Sequence, residues 1–328
     1  MKDLQIGLAI RLVMKTAPIL AVRLAAYLVF WFVALVYLAI VGGIAYLIGQ
    51  AVAFLGFIIL MIGLVGMVPI YRLAKQYVFY LIKAAHIAVI AEYLENGRFP
   101  KHSGGQLAWG KNQVQNRFGE VSAMFVVDEL VEGIVRRFTY TVYRVARWLP
   151  GDNLRTLVQV VNRIIRNATT YIDEAILART FWTGSDSVWS SAQDGVVLYA
   201  MAWKPLLKNA VALMVVSYIP FFLFFAFIAL PIGLALSLIS TQLAGWALIA
   251  LLVLAYLVKV AVGDTIAMTA MIASYQRATD GLTPDPVVSA KLDRVSDKFG
   301  ELKQRAQQEL QSIGNGETDT AVSANPAT

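Results

Sequence analysis

Two long stretches of this sequence contain no charged residue, and they constrain the fold more than any other feature. They run from Leu24 to Tyr71 (48 residues) and from Asn209 to Val258 (50 residues). One helix needs about 20 apolar residues to cross a hydrocarbon core ~30 Å thick, so each stretch is long enough for two crossings. The sequence therefore predicts an all-α integral membrane protein with two transmembrane helical hairpins, which together give four spans.

The composition agrees with this prediction. Hydrophobic residues make up 58% of the chain and charged residues only 15%, whereas about a quarter of the residues in soluble domains are charged. The net charge of +7 would suggest nucleic acid in a soluble protein. Here the basic residues flank the apolar stretches, for example Arg23, Arg72 and Lys208. We expect membrane lipids as partners and no nucleic acid.

The placement of the basic residues also predicts the topology. The two turns, near Gly49-Gln50 and Ser240-Thr241-Gln242, carry no charge, and the basic residues lie at the other ends of both hairpins. Basic residues are enriched on the cytoplasmic side of membrane proteins. We therefore expect a multi-pass protein of a plasma or bacterial inner membrane, with both termini and the central region in the cytoplasm.

The remaining segments have a helical pattern. Leu4, Leu8 and Leu12 recur near the N-terminus, which predicts an amphipathic helix in the headgroup layer or, alternatively, a frayed start to the first span. The predicted segments are an interfacial helix at 1–23, hairpins at 24–71 and 209–276, a cytoplasmic or interfacial helical region at 72–208, an amphipathic helix at 287–312 and a disordered tail at 313–328.

The central region contains the clearest helical pair, a helix-turn-helix at 121–182. Met124, Val131 and Phe138 are spaced by seven residues, as in helices that pack along a coiled-coil seam, and a Pro-Gly-Asp-Asn turn at 150–153 follows. Asp128 lies where this seam expects an apolar residue. Because Glu129 lies beside it, we expect this helix to stay outside the bilayer.

No residue set predicts an enzyme, so we assign no catalytic, cofactor-binding or metal-ligating residue. The chain has no cysteine and only two histidines, and it lacks the common nucleotide-binding and hydrolase motifs. The adjacent pair Asp173-Glu174 points in two directions on a helix. We interpret this pair as a solvated face or as partners of Arg166, Arg179 or a neighbouring helix.

The candidate functional residues lie in the apolar stretches and at their ends. Ionisable residues in a span are costly, and Lys259 and Asp264 occur in the fourth. Either Lys259 reaches the headgroups with Asp264 at the interface, or Asp264 is the counter-charge of a cation or proton path. Trp31 and Tyr218 belong to aromatic clusters that could hold a quaternary ammonium ion, although lipid contact also explains them.

The stretch 167–281 resembles the C-terminal part of the choline-transporter-like family. The residues that carry the resemblance are Asn167-Ala168, Tyr171-Ile172, Ala175-Ile176, Phe181, Ser191-Ala192, Lys208-Asn209, Ala255-Tyr256-Leu257, Asp264-Thr265-Ile266 and Asp280-Gly281. The resemblance implies a helical membrane transporter of choline or a similar amine. The family has more spans, and it has cysteines in this region, which this chain lacks.

Three hypotheses follow for the function. The first is transport or conduction of a small, cationic, choline-like solute, for which four spans would require a homo-oligomer or a contribution from the central helices. The second is a non-transporting membrane scaffold whose cytoplasmic helices recruit or organise partners. The third is a membrane-embedded enzyme that acts on lipids, for which the sequence offers no cluster of polar groups.

Overall fold

A computed structural model of the chain describes residues 4–101, 103–118, 121–145, 155–183 and 187–323. Within these ranges the chain is helical and contains no strand. The first seven helices are α1 Ile6–Lys15, α2 Ala17–Ala51, α3 Ala53–Leu73, α4 Tyr80–Asn96, α5 Gly105–Phe118, α6 Val121–Val145 and α7 Arg155–Trp182. The others are α8 Val188–Met201, α9 Trp203–Val216, α10 Ile219–Phe224, α11 Leu230–Ser237, α12 Thr241–Val258, α13 Asp264–Thr279, α14 Pro286–Val295 and α15 Asp297–Ser323.

Short π-helical segments join several of these helices end to end. They are Ala74–Phe79, Phe225–Ala229 and Lys259–Gly263. The joined pieces form four long helices, which are Ala17–Ala51, Ala53–Asn96, Trp203–Ser237 and Thr241–Thr279. Each is long and apolar enough to cross a membrane, which confirms the prediction of four such helices.

These helices are longer than a crossing requires. They contain 35, 44, 35 and 39 residues. At 1.5 Å per residue they are about 50 to 65 Å long, against a hydrocarbon core of ~30 Å. Each long helix can therefore cross a bilayer and still extend well beyond it.

The first two long helices lie antiparallel. Near the middle of the hairpin, the Tyr37 hydroxyl donates a hydrogen bond to the Gly63 carbonyl (3.0 Å). At the other end Thr16, just before α2, is hydrogen-bonded to His86 on α4 (2.8 Å). The hairpin therefore continues as a helical pair beyond its apolar part.

The second hairpin has a tight turn and a bent first arm. The side chain of Ser240 accepts a hydrogen bond from the backbone N–H of Leu243 and thereby caps α12. The other arm turns at Ser217 and Tyr218, just before Pro220 in the first turn of α10. Proline has no N–H for the preceding turn, which explains the break between α9 and α10.

Burial changes sharply along the long helices. In their most apolar windows only 6% to 22% of the residues are buried. The continuations behave differently, since every residue of 84–91 in α4 and of 267–275 in α13 is buried. The apolar ends of the hairpins are thus exposed, while their other ends form part of a closed core.

This core surrounds α7. Helices α4, α6, α8, α9 and α13 all pack against it. Ile172 and Ile176 of α7 are fully buried, together with Met124 and Ile134 of α6. Burial of these side chains supplies the main stabilising term of the helical core.

The N-terminal segment differs from the predicted interfacial helix at 1–23. The helix is interrupted at Thr16, so that α2 already begins at Ala17, with Pro18 in its first turn. Helix α1 packs against α13, and its Ala9 and Leu12 are buried in the core. Its apolar face is therefore satisfied by protein, while Ile10 and Met14 are exposed.

The boundaries of the central region also differ from the predicted 72–208. No break occurs at residue 72, because the second long helix continues to Asn96, and the third long helix begins at Trp203 rather than at 209. Helices α6 and α7 occupy the region of the predicted helix-turn-helix. The predicted turn at 150–153 lies outside the described residues.

The predicted amphipathic helix at 287–312 is two helices. Ser296 is extended (φ −143°, ψ 113°) and separates α14 from α15. Helix α15 continues to Ser323, so it includes residues 313–323 of the segment that the sequence predicts to be disordered. No proline interrupts α15, so its backbone hydrogen bonds can continue. Residues 324–328 lie outside the described part of the chain.

Candidate functional site at the junction of hairpins and core

The π-helical turn Lys259–Gly263 lies where the fourth long helix passes from its exposed apolar part into the core. The backbone N–H of Asp264 donates to the carbonyl of Lys259, five residues earlier. This wider turn brings the side chains of Lys259 and Asp264 to one face, which an α-helix would not do. The Lys259 Nζ to Asp264 Oδ1 distance is 2.6 Å.

Two tyrosines complete this cluster. The Tyr171 hydroxyl, on α7, donates a hydrogen bond to Asp264 Oδ1 (2.7 Å). The Lys259 ammonium lies 4.7 Å from the ring centroid of Tyr218, which precedes α10. Burial raises the pKa of the Tyr171 phenol, and the negative charge of Asp264 raises it further, so the phenol stays neutral and able to donate.

A glycine lets the third long helix approach this turn. A Cβ atom on Gly263 would overlap with the carbonyl oxygen of Ser217. The backbone of the third long helix can therefore touch the π-helical turn directly, and Tyr218 follows in position to cover Lys259. Only glycine leaves this space without displacing one of the two backbones.

Asp264, Tyr218 and Tyr171 form a cage around an ammonium group, in which the Asp264 carboxylate and the Tyr218 ring contact the ammonium and the Tyr171 hydroxyl holds the carboxylate. A carboxylate and the face of an aromatic ring are groups that bind amines in proteins. In this structure the ammonium is that of Lys259 itself, and its side chain is 12% exposed. The side chain of Asp264 is 22% exposed, so the cage is partly open to solvent.

Arg23 connects the first hairpin to the same region. This residue is only 8% exposed, and its Nη1 donates a hydrogen bond to Thr265 Oγ1 (2.7 Å). The Thr265 hydroxyl in turn donates to the carbonyl of Ala261 in the π-helical turn (2.7 Å). A cation of α2 is thus bound to the residue next to Asp264.

A second cluster lies between α4, α6 and α7. Lys83 Nζ is 3.2 Å from Glu174 Oε1 and 3.9 Å from Asp128 Oδ2. Asp173, only 2% exposed, accepts a hydrogen bond from the backbone N–H of Glu174 (2.8 Å). Within the described residues, no hydrogen-bond partner reaches Asp128 Oδ1.

Burial dominates the electrostatics of this second cluster. Burial raises the pKa of Asp173 well above its ordinary value, and the carboxylates of Asp128 and Glu174 raise it further, whereas Lys83 lowers it. The pKa values of Asp128 and Glu174 are also raised by burial, with Lys83 acting in the opposite direction. Three carboxylates therefore share one lysine in a site that disfavours charge.

Helix α7 belongs to both clusters. Tyr171 and Glu174 are three residues apart and so lie on the same face of the helix. Tyr171 contacts Asp264, and Glu174 contacts Lys83. The positive charge of Arg23 also acts on Glu174. The two clusters therefore form one polar layer between the exposed hairpins and the apolar core.

The structure brings together three of the four residues singled out in the sequence. Asp264, Lys259 and Tyr218 are in contact, as described above. Trp31 is not part of the cluster, because it lies on α2 with 39% of its surface exposed. It is eight residues from Arg23, which is about 12 Å along a helix.

Several residues of the polar layer had weak or no signals in the sequence. Asp128 stood out as an acid in an apolar seam, and its neighbour in space is Lys83, a lysine in an otherwise apolar stretch. Glu174 contacts Lys83 on the neighbouring helix α4, and a neighbouring helix was among the partners expected from the sequence. The signal that could have paired Lys83 with Asp128 is that each is a charged residue in an apolar helical pattern and that their charges are opposite.

No group of three or more His, Asp or Glu side chains in the described residues could hold a metal ion. Comparisons with protein-family models, with curated proteins and with solved structures found no match. The similarity of 167–281 to the choline-transporter-like family stays a prediction.

Proposed function

We propose that this chain is a multi-pass membrane protein in which two helical hairpins anchor a cytoplasmic helical scaffold that organises partners. One observation carries the proposal. The apolar parts of the hairpins contain few buried residues, whereas the closed core is formed by their continuations together with α6 to α9. The organised part of the molecule therefore lies beside the bilayer rather than in it.

The exposed charges support this orientation. Arg72 and Lys75 are exposed where the second long helix leaves its apolar part, and Lys204 and Lys208 are exposed where the third begins. The turn around Ser240 at the opposite end carries no charge. This asymmetry favours a cytoplasmic core and cytoplasmic termini.

The packing of the hairpins supports an anchoring role. Contacts between the two hairpins involve α2 with α12 and with the turn Lys259–Gly263. The segments 24–71 and 209–258 have no charged side chain with which to line a polar path. Their exposed faces fit lipid, and we include a homo-oligomer in the proposal because a second copy could also pack there.

In this proposal the Asp264 cluster has a structural role, because it attaches the hairpins to the helical core. Asp264 already has a cationic partner and a hydrogen-bond donor within the chain. It connects the fourth long helix to α7 at the level where the hairpins enter the core. Its role is then to fix the hairpins on the scaffold, and its neutralisation should change stability rather than flux.

Flux measurements on the purified protein test the proposal. Liposomes that contain the wild type should take up choline, methylammonium and potassium no faster than protein-free liposomes. Asp264→Asn should leave this background unchanged and lower the thermal stability in detergent. The scaffold proposal would be overturned if the wild type showed saturable uptake and Asp264→Asn abolished this uptake without lowering the stability of the protein.

Transport is the second candidate, and one specific observation favours it. The cage of Asp264, Tyr171 and Tyr218 has the chemistry of an amine site, and it lies at the predicted membrane boundary. A path would then require several copies of the chain. Uptake per copy that is absent from liposomes holding at most one copy each, and that appears after reconstitution at higher protein density, would support this candidate.

A further inference from the structure

The cluster around Lys83 contains more negative than positive charge. Across the polar layer three cations, Arg23, Lys83 and Lys259, face four carboxylates, which are Asp128, Asp173, Glu174 and Asp264. The pairs formed by Lys259 with Asp264 and by Lys83 with Glu174 leave Asp128 and Asp173 to be balanced. Uncompensated buried charge is costly, so a layer of this kind takes up a proton instead.

The geometry identifies where the proton is held. Asp173 is 2% exposed and accepts from the N–H of Glu174 on its own helix. Asp128 has an oxygen without a partner among the described residues, although it lies 3.9 Å from Lys83 through its other oxygen. Asp173 is thus the most buried carboxyl, and Asp128 offers an acceptor on the facing helix.

The groups around Asp173 come from each helix packed on this part of α7. They are Tyr80 and Lys83 on α4, Asp128 and Glu132 on α6, and Glu174 on α7 itself. Arg23, Lys75 and Glu129 act on its neighbours. On the other sides of α7, Asp264 on α13 faces Tyr171, and Asp194 on α8 faces Arg179.

We propose that the Lys83 cluster binds one proton, held on Asp173, and that this proton keeps α6 docked on α7. When the proton leaves to solvent, Asp173 becomes a carboxylate beside Asp128 and Glu174 with only Lys83 between them. The repulsion is relieved when α6, which carries Asp128, moves away from α7. The cluster is therefore a pH-sensitive contact within the helical core, and this role is independent of whether the protein is a scaffold or a transporter.

The sign of the pH dependence follows from the raised pKa of Asp173 in the folded protein. The folded state holds the proton at pH values where the unfolded chain has lost it. The contribution to stability is complete below the ordinary pKa of an aspartate and is lost as the pH rises toward the raised value. Alkaline conditions should therefore weaken the docking.

The test is thermal unfolding of the full chain in detergent between about pH 5 and about pH 9. The Tm of the wild type should fall by several degrees over this range. Asp173→Asn, whose amide mimics the protonated carboxyl, should lose most of that fall. The control Asp297→Asn, at an exposed carboxyl of α15, should retain the slope of the wild type. Equal slopes for Asp173→Asn and the wild type, or a flat wild-type profile, would overturn the proposal.

A second measurement needs no variant. Infrared spectra of the wild type at neutral pH should contain the C=O stretch of a protonated carboxyl, which shifts in D₂O and disappears at alkaline pH. The protection of α6 amides against hydrogen exchange, taken relative to the intrinsic exchange rate at each pH, should fall over the same pH range. Spectra that contain only ionised carboxylates at neutral pH would overturn the proposal even if Asp173→Asn failed to fold.

Discussion

Arg23 Nη1 lies 2.7 Å from Thr265 Oγ1, so a side chain of the first long helix is hydrogen-bonded to the fourth, 242 residues later in the sequence. Elsewhere α2 of the first hairpin packs against α12 and the turn Lys259–Gly263 of the second. The contact lies beside Asp264, at the level where both hairpins enter the core. The hydrogen bond therefore fixes the relative position of the two hairpins.

Loss of the Arg23 contact should destabilise the protein. Arg23→Met removes the guanidinium and leaves Thr265 with its bond to Ala261, and we expect a loss of about 1–3 kcal/mol, the usual effect of deleting a partly buried, charged hydrogen-bond partner. The measurement is thermal unfolding in detergent. Arg11→Met, at an exposed arginine of α1, is the matched control and should have little effect. Similar losses for both variants would contradict the role given to Arg23.

The pair of Lys259 and Asp264 should show energetic coupling. Each single change, Lys259→Met or Asp264→Asn, leaves the other group without its partner, so the double variant should lose less stability than the sum of the two. We expect a coupling of about 1–2 kcal/mol, lower than for fully buried pairs because both side chains are partly exposed. A double-mutant cycle of thermal stability measures it. Additive losses would show that the pair contributes nothing.

Gly263 should tolerate no side chain. In Gly263→Ala the new Cβ would meet the Ser217 carbonyl and push the third and fourth long helices apart, so stability should fall by about 1–3 kcal/mol. The control is Gly245→Ala in α12, where a Cβ would meet nothing within 4 Å. Alanine favours a helix over glycine by about 1 kcal/mol, so the control should be neutral or stabilising. Equal effects of the two changes would contradict the close approach at Ser217.

The topology can be tested directly because the chain has no cysteine. Single cysteines at Gln50 and Gln242 mark the two turns, and one at Ser289 marks α14 in the core region. In intact cells a membrane-impermeant maleimide should label the two turn positions and leave Ser289→Cys unlabelled until the membrane is opened. Labelling of Ser289→Cys in intact cells, with the turns protected, would reverse the proposed orientation.

The four long helices could be predicted because their signal is local. A run of about 50 residues without charge has few alternatives to two apolar helices, whatever the rest of the chain does. The extension of these helices into a closed core could not be read in the same way. Residues 84–91 and 267–275 are buried by contacts with α7, and such contacts depend on the whole fold.

The candidate site was predictable only in its residue types. The sequence identifies Lys259 and Asp264 as ionisable residues of an apolar helix. Because they are five residues apart, their side chains would point to different faces of a regular α-helix. The π-helical turn that pairs them ends at Gly263, against the Ser217 carbonyl, and this contact between distant parts of the chain has no local sequence signal. Tyr171, which donates to Asp264, is separated from it by 93 residues, so no local pattern connects the two.

The unbroken helix from Ala53 to Asn96 has a mechanical consequence. Its first part would sit in lipid, and its second part is clamped in the core, at residues 84–91. A helix adjusts its tilt when the surrounding bilayer becomes thinner or thicker. Because no loop separates the two parts, a tilt of the lipid-facing part would also displace residues 84–91 in the core. Bilayer thickness would then act directly on the shape of the core.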